Sequence, residues 1–141
     1  MRRRLRAWLL LLPAHALCAQ AAGTADIREG LWELSVEAQL DGQPMSSAPM
    51  VLRQCVHDQS VQDLMAQIGG GGACQISHFE QTEDRVRWNL ACTGAMELSG
   101  TGEAELGSDQ FSGRMNLVVS VGGQDVPMVQ AFRAQRVGEC Q

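Results

Sequence analysis

Apolar and polar residues alternate with a period of two through most of this chain. Trp32, Leu34, Val36, Ala38 and Leu40 fall on one side of an extended segment, with Glu33, Ser35, Glu37 and Gln39 on the other. A 3.6-residue period cannot separate these two sets, so the segment predicts a half-buried strand. Val86, Trp88, Leu90 and Cys92 repeat the pattern against Arg85, Arg87, Asn89 and Ala91. Met96, Leu98, Ala104 and Leu106 alternate with Glu97, Ser99, Thr101, Glu103 and Glu105, and Gly100 and Gly102 share the apolar side. Phe111, Met115, Leu117, Val119 and Val121 alternate with Ser112, Arg114, Asn116 and Ser120. One-sided patterning of this kind belongs to antiparallel sheets with one face in water.

Weaker strand signals occupy 49–56, 74–80 and 126–136, and Pro127 places the start of the last at a sheet edge or a bulge. The connections are short and rich in turn residues: Thr93-Gly94-Ala95, Gly107-Ser108-Asp109-Gln110 and Gly122-Gly123-Gln124-Asp125. One segment, 60–68, reads helical, with Val61, Leu64, Met65 and Ile68 at spacings of three and four. Asp58 or Ser60 offers its cap and the glycines 69–72 end it. Gly100, Gly102 and Gly113 inside strands predict a strongly bent sheet. The expected fold is mainly β: a single curled antiparallel sheet or partly open barrel, a meander of about seven strands with one short helix.

The N-terminus departs from this pattern. Arg2, Arg3, Arg4 and Arg6 precede an apolar run over 7–19, broken by Pro13 and His15 and followed by Ala19-Gln20-Ala21. Basic, apolar and Ala-x-Ala segments in that order predict a signal peptide over 1–21, cleaved after Ala21, and a single domain over 22–141. The apolar run is shorter than the roughly 20 residues a membrane-crossing helix needs. Lipidation of Cys18 stays open, although Leu17 stands where a small residue is preferred. Cleavage removes four of the 11 basic residues and none of the 16 acidic ones, leaving a net charge of −9. Such an acidic domain lacks the basic footprint of a nucleic-acid binder. The expected location is the periplasm or the exterior, with no membrane span in the mature form.

Export changes the reading of the cysteines. Cys55, Cys74, Cys92 and Cys140 remain after cleavage, an even number that predicts two disulfides. A thiolate metal site is the competing reading, but the intervals are long and no Cys-x-x-Cys occurs. If a hairpin around Glu83 and Asp84 pairs Trp88 with His78 and Leu90 with Ile76, Cys92 stands opposite Cys74. Cys55 is then left to Cys140. The glycines before Cys74 would also permit a Cys55–Cys74 bond.

Several of these segments carry a family resemblance. Ala25-Asp26-Ile27-Arg28-Glu29-Gly30-Leu31-Trp32-Glu33, Gln54-Cys55, Gly72-Ala73-Cys74, Trp88 with Cys92-Thr93-Gly94 and Ser99-Gly100-Thr101-Gly102-Glu103 belong to this set. So do Phe111-Ser112-Gly113-Arg114-Met115 and Arg136-Val137-Gly138-Glu139-Cys140. Together they resemble the bacterial exported domain-of-unknown-function family numbered 3617, over nearly the whole chain after residue 21. The resemblance implies a small exported β-rich domain with no assigned activity, and it supplies no catalytic residues. The family's methionine-rich segment after the first strand is reduced here to Met45 and Met50.

Candidate chemistry is sparse. After cleavage the histidines are His57 and His78; His57-Asp58 could form an oriented base, but the pair falls where the helix is capped. No nucleophile elbow, phosphate loop or zinc motif occurs, and no catalytic residue, metal or cofactor is assigned. Met45, Met50, Met65 and His57 could gather around Cu(I), although Met65, Met96, Met115 and Met128 occupy apolar-face positions that suit core filling. The leading expectation is a non-catalytic module whose inward residues Trp32, Trp88, Leu98, Phe111, Met115 and Leu117 face a small apolar ligand. The rival is an envelope interaction or structural protein in which the same residues fill a core. A cavity of about 300 Å³ or more among them would separate the two.

Overall fold

Strong alternation and tight turns favour hairpin neighbours, and in the computed structural model the last five strands follow one another as a meander, while the first strand pairs with the last. The structure describes residues 26–69, 73–94 and 96–141, so the proposed signal segment lies outside the described residues. The elements are β1 (Gly30–Leu40), β2 (Gln43–Pro44), β3 (Met50–Val56), α1 (Val61–Ile68), β4 (Cys74–Thr82), β5 (Arg85–Cys92), β6 (Glu97–Leu106), β7 (Gln110–Val121) and β8 (Gln124–Gly138). All eight strands form one antiparallel sheet in the order β2-β1-β8-β7-β6-β5-β4, and β3 pairs with β1 on the side that β2 also uses. The sheet curls but does not close, because its edges β3 and β4 are not paired with each other.

The split return from β1 adds one strand to the expected count. Asp41 and Gly42 form a two-residue turn with φ of 48° and 76°, and this turn starts β2. Gly122 and Gly123, at φ of 60° and 81°, turn β7 into β8 in the same way. Pro127 sits opposite Val118, beyond the Leu40–Met128 pair that ends the β1–β8 ladder. Its missing N–H is therefore not needed by β1, and its carbonyl accepts from the Asp41 N–H at 2.8 Å.

Three expectations need correction. Trp88 does not pair with His78. The two-residue loop at Glu83–Asp84 pairs Thr82 with Arg85, which would put Cys74 one position out of register with Cys92. A bulge between Ser77 and Glu80 absorbs the extra residue, and His78 takes φ of 49° there. Val121 and Met96 are the others: Val121 ends β7 beside the turn and is 53% exposed, and Met96 precedes β6 and is 59% exposed, so neither fills the core.

The inward sides of β1 and β5 to β8 supply most of the core, and α1 lies against it. Met65 and Leu64 of α1 are buried in that cluster. In the chain α1 connects the two edge strands β3 and β4, and its Gln67 accepts a hydrogen bond from the Gln54 amide of β3. Ser60 is the cap: its Oγ accepts from the Asp63 N–H at 3.1 Å.

Candidate functional site

Trp88, Met115, Trp32, Leu117 and Phe111 are all at most 5% exposed, and Leu98 is half-buried at the margin of the same cluster. Trp32 lies 5.4 Å from Phe111, Phe111 lies 6.2 Å from Phe132, and Phe132 lies 6.4 Å from Trp88, measured between ring centroids. The strand glycines make room for these rings. A Cβ at Gly102 would lie 2.2 Å from the Trp88 indole, and one at Gly113 would lie 2.4 Å from Phe132. The six inward residues are thus brought together, and they pack on one another. One polar atom among them, Trp88 Nε1, is buried without a hydrogen-bond partner.

The sizeable grooves open mainly on the polar face, but two of the inward residues reach them: Phe111 lines one of about 590 Å³, and Trp88 lines another of about 330 Å³ beside His78 and Arg87. The first runs between Glu33, Ser35, Glu105, Ser112 and Arg133, and a neighbour of about 520 Å³ is lined by Arg85, Glu103 and Arg114. All are open to solvent. Arg85 donates to Glu105 at 2.7 Å, and that carboxylate raises the guanidinium above its ordinary value. Arg85 therefore stays charged throughout the physiological range. The pair is exposed and adds little to stability.

The cysteines pair as Cys74–Cys92 and Cys55–Cys140, the nested arrangement. Cys74 and Cys92 are direct cross-strand partners with Cα atoms 3.9 Å apart. The Thr93 N–H donates to the Ala73 carbonyl beside them, which makes the cysteines a close, non-hydrogen-bonded pair. Cys55 and Cys140, with Cα atoms 5.7 Å apart, flank the lower end of β1, where Leu31 pairs with Cys55 on one side and Gly138 on the other.

His57 joins this second disulfide. A ring nitrogen of His57 and the sulfurs of Cys55 and Cys140 all lie within 4.8 Å of one another. The backbone beside it is pinned, since the Asp58 N–H donates to Glu29 Oε1 at 2.9 Å. Cys55 and His57 are two residues apart, a spacing that puts both on one side of extended chain. That signal was available in the sequence; the arrival of Cys140 depends on the fold. His78 stands apart, exposed on its bulge, with Nδ1 3.2 Å from the Asn89 amide. Met65 is fully buried while Met45 and Met50 are more than half exposed.

The sheet edges differ. Edge β4 presents Gln75, Ser77, Glu80 and Thr82 and carries the bulge. Edge β3 presents Met50, Val51 and Leu52 at 48–56% exposure, with Met45 close by in sequence at 61%. Among the described residues, no helix is long and apolar enough to cross a membrane.

Comparison with curated proteins and with solved structures gives no match. The sequence model of one family, described as protein of unknown function (DUF3617), matches residues 27–140. That span takes in every strand, α1 and all four disulfide cysteines. On that match the chain belongs to the DUF3617 family.

Proposed function

We propose that this chain is an exported cell-envelope protein that acts by binding another protein, with a filled core and no turnover. The observation that carries this reading is the exposed apolar stretch Met50 to Leu52 of edge strand β3, a stretch that ends at Arg53, which is paired with Glu33. Folded proteins guard sheet edges with charge, bulges or covering elements, as β4 is guarded here; an exposed apolar edge marks an interaction surface. The partner that fits is an extended apolar segment with basic flanks, added to β3 as a further strand. The net charge of −9 after residue 21 favours encounter with a basic partner.

A photo-crosslinking residue at Val51 tests this in cells. We expect a discrete adduct that Leu52→Asp abolishes, and none from the same probe at Gln75 on β4. An adduct indifferent to Leu52→Asp, or no adduct from Val51, overturns the reading.

A second reading, a small apolar ligand held on the inward face, is favoured by Trp88 Nε1. A buried N–H without an acceptor is rare in folded proteins, and a bound molecule could supply one. Under that reading Leu52→Asp leaves the cellular phenotype of the gene intact. Trp88→Phe, which removes the N–H and keeps an aromatic ring, abolishes it at matched folded amounts.

A further inference from the structure

We infer that the Cys55–Cys140 disulfide and His57 form a redox-gated Cu(I) site, closed when the disulfide is formed and open when it is reduced. The three donor atoms already lie within 4.8 Å of one another. Their frame does not depend on the sulfur–sulfur bond. Cys55 is held by the β1–β3 ladder, and Cys140 follows Gly138, which is held by the β1–β8 ladder through the same residue, Leu31. Arg136 adds a further tie, since its Nε donates to the Glu29 carbonyl at 2.7 Å and its guanidinium pairs with Glu139. The His57 loop is fixed by the Asp58–Glu29 hydrogen bond. After reduction, the two sulfurs and the imidazole remain neighbours.

The donor set selects the metal. Two thiolates and one imidazole are soft or borderline ligands, three in number, and suit a low-coordinate monovalent copper ion. Zinc would need a fourth ligand. Glu29 is engaged with the Asp58 N–H and Glu139 with Arg136, and the Asp58 carboxylate, next to His57 in the chain, is not among the atoms that converge with the two sulfurs. The cysteines are half-buried and His57 is exposed, so a reductant and an ion can both reach the site.

The chemistry balances with an external dithiol as reductant. The dithiol supplies two electrons and two protons, the Cys55–Cys140 bond breaks, and the dithiol closes to its own disulfide. Cu(I) then binds both sulfurs as thiolates and displaces the two thiol protons to solvent, while His57 binds as neutral imidazole. Copper keeps its oxidation state throughout.

The test is anaerobic competition for Cu(I) against a chromophoric chelator, using the chain with its disulfides intact and the chain reduced by a dithiol. We expect one Cu(I) per reduced chain and none held by the oxidised chain. His57→Ala alters only an exposed side chain and should weaken binding by at least tenfold. Cys74→Ser/Cys92→Ser should leave binding unchanged, because those thiols lack the imidazole. Equal affinity in His57→Ala and the parent chain overturns the site. So does Cu(I) binding by the oxidised chain, or displacement of Cu(I) by an equimolar amount of Zn(II).

Discussion

At the scale of single residues, the tightest constraint is the contact between Gly102 and Trp88. These residues are cross-strand partners on β6 and β5, and the indole lies where a Cβ at position 102 would be. Trp88 is 1% exposed and leans on Phe132, so the ring cannot swing aside. Gly102→Ala should therefore destabilise by about 1–3 kcal/mol, as overpacking of a close-packed interior does. The measurement is a urea titration in which the midpoint falls and the slope stays constant. Gly138→Ala is the matched control: its Cβ would meet nothing within 4 Å, and the midpoint should hold. An unchanged midpoint for Gly102→Ala would mean that Trp88 is not fixed over the glycine. Gly30 is constrained differently, by φ of 140° and by Arg136 Nε, which a Cβ would approach to 2.5 Å. Its freedom lets Arg136 hold the Glu29 carbonyl.

At the scale of elements, α1 is the part most dependent on its neighbours. Eight residues are too few to sustain a helix in water, so its stability comes from Leu64 and Met65 in the core and from its cap. Ser60→Ala removes the acceptor for the Asp63 N–H and should cost about 1 kcal/mol, while Ser60→Thr should restore most of it. Amide exchange reads this directly: the amides of α1 should lose protection in Ser60→Ala while those of β7 keep theirs. Equal loss in both elements would show that the helix does not open separately from the sheet. The elements were also the most legible level of the sequence. Period-two alternation placed β1 and β5 to β7, because each of those strands has one wet face and one dry face. The bulge at His78 and Phe79 was invisible, since an inserted residue changes register without changing composition. Strand β2 is signalled by the Asp41-Gly42 turn alone, as Gln43 and Pro44 carry no alternation of their own. For the candidate site, opposed strands made the cysteine pairing readable. The placement of His57 beside Cys140 was not readable, because it joins residues far apart in the chain through β1.

At the scale of the whole molecule, two disulfides fasten a sheet whose edges do not meet. Cys55–Cys140 spans a sequence separation of 85 and Cys74–Cys92 one of 18. Closing loops of these lengths restricts the unfolded chain by about 4.5 and 3 kcal/mol, and the terms do not add because one loop lies within the other. The cysteines are half-buried and would be reduced in a thiol-rich cytosol, so both disulfides stay formed only in an oxidising compartment. The basic, apolar and Ala-x-Ala segments over 1–21 are the proposed route there. Ile27 packs against the core, Arg28 donates to the Ser108 carbonyl at 3.0 Å, and its guanidinium pairs with Asp109 at 3.1 Å. The proposed cleavage after Ala21 would leave these contacts in place. Mass spectrometry of the protein isolated from its native cell should therefore find an unmodified N-terminus near Ala22 and no free thiol. A chain that retains Arg2 to Arg6 in the cytosol, or one that carries lipid on Cys18, would remove the ground for an exported, freely diffusing domain. Free thiols at Cys55 and Cys140 alone would instead show that the gate beside His57 stands open in the cell.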